Sequence, residues 1–242
     1  MSKSIFSYNV DVNKTAYLNW RTDKYDNAHN LTVLGEGFAQ AAFLLMDQIL
    51  IDNRDKKADG LILPILYDID QAIEVYIKAI LRLLNELNEE KVENYTSHDI
   101  ESLFNQMVSK IKKKEITTKG LGKFLQPLSL YISDLYERIK TLDERNRVVV
   151  NIDFARYPTD ANGNPHFYVA TYGNVVVDIE NLRTHFKEVM DCLESIYLQY
   201  SIEREAFFEY KSEQRQMQLE YEAEIRAEYE AEMRAEFGNN YD

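Results

Sequence analysis

Arg156, Asp160 and His166 share one turn-rich stretch, DFARYPTDANGNPHFYV, at positions 153–169. Residues of these types can work on a phosphate. A guanidinium holds charge where it develops, a carboxylate activates a hydroxyl, and an imidazole with an ordinary pKa of about 6.5 carries the proton. The same letters are also turn chemistry. Pro sets φ, Asp and Asn bond their own backbone, and Gly permits φ > 0. Arg156 can pair with Asp153 or Asp160. On one reading the stretch is a catalytic loop, and on the other a bend that frames a site.

Further candidates lie earlier in the chain. Asp70, Glu74 and Lys78 are four residues apart beside an apolar helix face. They could line a polar groove or form an i,i+4 ion pair that orients the helix. His98 precedes Asp99 at a helix start, where it could act as an acid or base or simply pack at the terminus. Lys110, Lys112, Lys113 and Lys114 make the densest positive run. Lys112 and Lys113 are candidates for binding RNA or an acidic partner, and a solvated helix end accounts for them equally. The four His show neither i,i+4 nor HExxH spacing, and the single cysteine, Cys192, allows no Cys-based zinc site. No metal or cofactor is expected. The short GEG and GLG runs at 35–37 and 120–122 are no phosphate loop.

The elements that must hold these residues are mostly helices. The spacing predicts a helix from Leu31, with Leu34, Phe38, Ala41, Ala42, Leu45 and Ile49 on one face. Over 61–90, Leu66, Ile69, Ile73, Ile77, Ile80, Leu84 and Leu87 make the strongest stripe, with Pro64 in the first turn. Ser97 is the expected N-cap of a third helix to Lys114, and a fourth runs over about 120–142. Alternating β-branched residues at 147–157, 165–171 and 173–177 predict a small β-ribbon, with DANGN as its turn. Helix returns near Asp178. Residues 221–236 are two octads, YEAEIRAE and YEAEMRAE. Eight residues overshoot two full turns by about 80°, so no lasting apolar seam forms and a heptad coiled coil is excluded.

The expected architecture is mainly α: an antiparallel helical bundle with a small β-ribbon insert and a long charged C-terminal helix. Its divisions are an extended arm over 1–30, which Tyr17 and Trp20 pin to the body, a helical domain over 31–204 and an acidic helical tail over 205–242. The 45% hydrophobic content supports a real core, and the net charge of −13 argues against a general nucleic-acid coat. No run reaches the roughly 18 apolar residues of a membrane span, and the start lacks a signal-peptide core. A cytoplasmic protein is expected.

Two segments resemble the HEPN-like helical family. Ala72, Ile73, Glu74, Lys78, Ala79, Ile80 and Leu81 follow the pattern of its second helix, and HDIESLF at 98–104 is similar to the helix start that follows it. ARYPTDANGNP is similar to a later stretch in some bacterial members. The resemblance covers roughly residues 30–200. It implies an antiparallel bundle, commonly dimeric, of bacterial toxin–antitoxin and anti-phage settings. Active members are metal-independent ribonucleases with Arg–x(4–6)–His on a late helix. Here Arg183 and His185 are separated by one residue, and Arg156 and His166 by nine.

The expectation is therefore a non-catalytic HEPN-like binding or assembly protein of a conflict system. The alternatives are a ribonuclease with a rearranged site using Arg156, His166 or His98, and a structural subunit that docks through its acidic tail. Phe207, Phe208 and Leu219 lack obvious intrachain partners, which points to a homodimer. RNA remains a candidate ligand.

Overall fold

The computed structural model describes residues 4–91, 95–115, 119–142 and 148–238. Residues 1–3 of the arm, Arg147 at the start of the expected first strand, and the tail residues 239–242 lie outside it.

Helix α1 spans Asn27–Ile51, and Asp26 caps it by accepting from the His29 amide at 2.9 Å. The helix thus starts four residues before Leu31. An 18-residue window of its 25 residues has a mean hydropathy of 1.2, so by length and composition it is long and apolar enough to cross a membrane. That differs from the sequence expectation, because Glu36, Gln40 and Asp47 break the apolar run while the residues between them keep the window average up. Its inner face belongs to the bundle. Helix α2, Lys57–Leu87, packs so closely on it that a Cβ at Gly35 would lie 2.5 Å from the Tyr76 ring.

Helix α2 is the centre of the molecule. Ile69, Ile73, Ile77, Ile80 and Leu84 of its stripe are fully buried, and between Ala72 and Asn85 the other faces are buried too. Pro64 sits inside the helix, beyond its first turn. Helix α3 is Ile100–Lys114, and its N-cap is Asp99, not Ser97. Asp99 accepts from the Ser102 amide at 3.2 Å, while the Ser97 hydroxyl accepts from the Asp99 amide at 3.1 Å.

The expected fourth helix is two helices. A single turn, α4 (Leu121–Phe124), is followed at buried Leu125 by α5 (Gln126–Ile139), with Pro127 in the first turn of α5. The chain then enters β1, Lys140–Leu142, which pairs antiparallel with β2, Val148–Val150, in the register Lys140↔Val150.

The β-ribbon is therefore smaller than expected and begins earlier. Residues 152–156 are turns, Phe167–Ala170 form a short helix, α6, and 174–178 run without a strand. Buried Phe154 decides this. Its carbonyl and that of Tyr157 both accept from the Tyr168 hydroxyl, at 2.9 and 3.0 Å, and its ring lies 5.9 Å from Phe167. The segments close as a compact knot and not as a flat ladder.

Helix α7, Ile179–Gly238, is 60 residues long, about 90 Å at a rise of about 1.5 Å per residue. Its first half packs on the body through Phe186, Val189, Leu193, Ile196 and Tyr200. Arg204 closes that contact with Asp26 at 2.5 Å and Glu86 at 3.5 Å, and Lys211 reaches Glu89. The remainder is exposed. One helix thus passes through position 204 without a break.

At the other end, Tyr17 and Trp20 do not pin the arm. Trp20 is 79% exposed, and the two rings pack on each other at 6.0 Å.

Candidate functional site

The bundle brings together residues that the sequence scatters. The middle of α2 presents Tyr67, Asp70, Gln71 and Glu74 at successive turns of one face. The residue before the α3 cap adds His98, α5 adds Tyr136, and the turn after β2 adds Asp153 and Arg156. They line a cavity of about 240 Å³. Asp70, Glu74, His98 and Arg156 were singled out from sequence for separate reasons, and the fold makes them neighbours.

Within the cavity most charges are matched. Glu74 is 4% exposed. Lys78 donates to its Oε1 at 2.8 Å, and His98 Nδ1 lies 3.0 Å from Oε1 and 3.2 Å from Oε2. The i,i+4 pair is therefore real, and its carboxylate also ties the start of α3 to α2. Arg156 pairs with Asp153 rather than Asp160, and this partner pushes its pKa further up. The Tyr136 hydroxyl donates to Asp99 at 2.6 Å and accepts from the Glu101 amide at 3.0 Å.

Asp70 is different. Its carboxylate accepts from the Tyr131 hydroxyl at 2.7 Å, and no cation pairs with it among the described residues. Burial pushes its pKa up to about 7; the Tyr131 hydrogen bond opposes this and the Glu74 charge adds to it. Tyr131 is in turn raised well above its usual value, by burial and by Asp70.

His166 does not reach the cavity. It is 3% exposed, its amide donates to the Pro158 carbonyl at 3.1 Å, and its Nε2 has no hydrogen-bond partner among the described residues. Asp160 also stays outside. It accepts from the Asn162 and Asn164 amides at 2.8 and 2.9 Å, which builds the hairpin tip beneath the Thr159↔Pro165 bridge. Asn164 holds its pKa down. The opening stretch is thus a structured bend that delivers the Asp153–Arg156 pair to a site made mainly by other elements.

The lysine run is largely spent on ion pairs. Lys110 and Lys113 both bind Glu90, at 2.5 and 2.7 Å, and hold its pKa down to about 2. Lys114 binds Glu203 at 3.0 Å, while Lys112 is exposed. Burial lifts the Cys192 thiol to about 11, which leaves it un-ionised at neutral pH. No group of three or more His, Cys, Asp or Glu that could hold a metal occurs among the described residues.

Sequence reasoning missed Tyr67, Gln71 and the polar roles of Tyr131 and Tyr136. Tyr131 reads as one more apolar residue of a helix face, and nothing local shows that its hydroxyl meets Asp70, 61 positions away. No protein-family model, curated protein or solved structure matches the chain.

Proposed function

We propose that this protein is a non-catalytic, HEPN-like binding and assembly component of a bacterial or phage conflict system. One observation carries the non-catalytic part. The two side chains that a rearranged ribonuclease site would use, His98 and Arg156, each face a carboxylate, Glu74 and Asp153. His166, the third candidate, is buried elsewhere. A cation neutralised in this way stabilises a developing phosphate charge poorly. The cavity is then a place to hold a small ligand, not to cleave a chain.

The test is incubation with total RNA in chelator, alongside Arg156→Ala and His98→Ala. The expected result is no cleavage above buffer in any of the three samples. Cleavage by the wild type that disappears in both variants, with folding intact, would promote the ribonuclease alternative. That alternative keeps one point in its favour: Arg156, His98 and a carboxyl group poised near neutrality line the same cavity.

Assembly is assigned to the exposed half of α7. Phe208, Met217, Leu219, Tyr221, Ile225 and Tyr229 are each about half exposed there, more apolar surface than a free rod needs. Light scattering is expected to give a dimer mass for the full chain and a monomer mass for a chain ending at Lys211. A monomer mass for the full chain removes the homodimer and leaves docking on another protein.

A further inference from the structure

Asp70 and Glu74 stand one turn apart on α2, and only Glu74 has a cation. Lys78 and His98 serve Glu74, Arg156 serves Asp153, and Asp70 has only the neutral Tyr131 hydroxyl among the described residues. An ionised carboxylate in a desolvated place beside a second one is costly unless a positive charge comes to it. The described residues supply none, yet Asp70 lines an open cavity. Tyr67 lines it too, and an aromatic ring beside a cation adds attraction. The cavity is about 240 Å³. That suits a small organic molecule and not a nucleotide chain.

We propose that this cavity binds a small organic cation, a guanidinium or primary ammonium group, with Asp70 as the anchoring carboxylate and Tyr67 as a wall. The inference rests on reading the cavity as a ligand site.

Of the three carboxylates that line the cavity, Asp70 is the one without a cation among the described residues. Glu74 is matched by Lys78 on α2, Asp153 by Arg156 on the hairpin, and Glu101 by Lys140 beside Tyr136. Asp99 accepts from Tyr136. Ionised Asp70 leaves one lining carboxylate unmatched. A bound cation matches it and expels the proton that burial otherwise keeps on Asp70. Protonation of Asp70 opposes the ligand, so binding weakens as pH falls.

The full chain is titrated with methylguanidinium, with its neutral isostere methylurea and with acetate, following the Asp70 carboxyl carbon by NMR and the heat by calorimetry. Methylguanidinium is expected to bind at pH 8 and about tenfold more weakly at pH 6, as one proton released from a group near 7 requires. Methylurea and acetate are expected not to bind. Asp70→Asn abolishes the binding and His98→Gln keeps its pH step. Should Asp70→Asn fail to fold, the wild-type carboxyl shift and its pH step decide. Equal binding of methylurea, binding that survives Asp70→Asn, or an Asp70 signal that does not move overturns the proposal. Acetate bound in the cavity also overturns it but leaves the ligand-site reading standing. RNA cleavage lost in His98→Ala would instead remove that reading.

Discussion

The two halves of α7 are one unbroken helix held by different forces. In the inner half a stripe from Phe186 to Tyr200 is buried against the body. In the outer half, residues 221–236 form four tetrads, YEAE, IRAE, YEAE and MRAE. Each tetrad overshoots one turn by about 40°, so its apolar column winds around the rod and never becomes a core-facing stripe. What holds helix there is local: Ala, Glu and Arg are good helix formers, and Glu222, Arg226, Glu230 and Arg234 alternate in sign at i,i+4 spacing. Upstream, Gln218 donates to Glu222 at 2.9 Å. A helix continues where its stripe has nothing to cover, provided propensity and side-chain pairs replace packing. The contrast teaches that helical periodicity and burial are separable properties of one segment.

The sharpest way to break this comparison is a matched pair of truncations. Leu193→Ala should cost about 2–5 kcal/mol, as removal of a fully buried leucine side chain does. Glu228→Ala, on the exposed half and outside the proposed assembly surface, should stay within about 0.5 kcal/mol. Urea denaturation of both variants reads the difference, and equal losses would mean that the outer half packs on something in solution.

A second measurement sets Asp70 against Glu74. The folded value of Asp70, about 7, lies above its ordinary 3.8, so the folded chain keeps a proton that the unfolded chain has released. Its contribution is fully present below about pH 4 and is lost as pH rises through about 7. Between pH 5 and 7 the wild type should therefore lose about 2 kcal/mol relative to Asp70→Asn. Parallel stability–pH curves for the two proteins would show that Asp70 is not desolvated.

The smallest effect marks the boundary between the halves. Arg204 is 15% exposed at the side chain and is shared by Asp26 and Glu86. Arg204→Ala should cost about 1–2 kcal/mol, and hydrogen exchange should show faster opening near Asp26, the α1 cap it steadies. Unchanged exchange there would place the functional end of the packed half nearer Tyr200.

Much of the scaffold was legible. The stripe at Ile69, Ile73, Ile77, Ile80 and Leu84 is the buried face of α2, because regular spacing on a helix allows only one way to bury those residues together. Glu74 with Lys78 was legible for the same local reason. The ribbon was not. Val148–Val150 is a strand, whereas the equally β-branched 174–178 is not, and Val176 there is 81% exposed. A strand needs a neighbour for its amides and carbonyls, and alternation along the chain does not say whether one is present.

The sequence by itself determined the helical class, the buried stripe of α2 and the continuity of α7, since periodicity, propensity and charge order act over a few residues. Only the tertiary structure decided that His98 and Arg156 meet beside Asp70, that His166 and Asp160 do not join them, and that Asp70 lacks the cation Glu74 has. Those outcomes depend on side chains far apart in the chain, such as Tyr131 and Asp70, and on water leaving between packed helices, which no local pattern records.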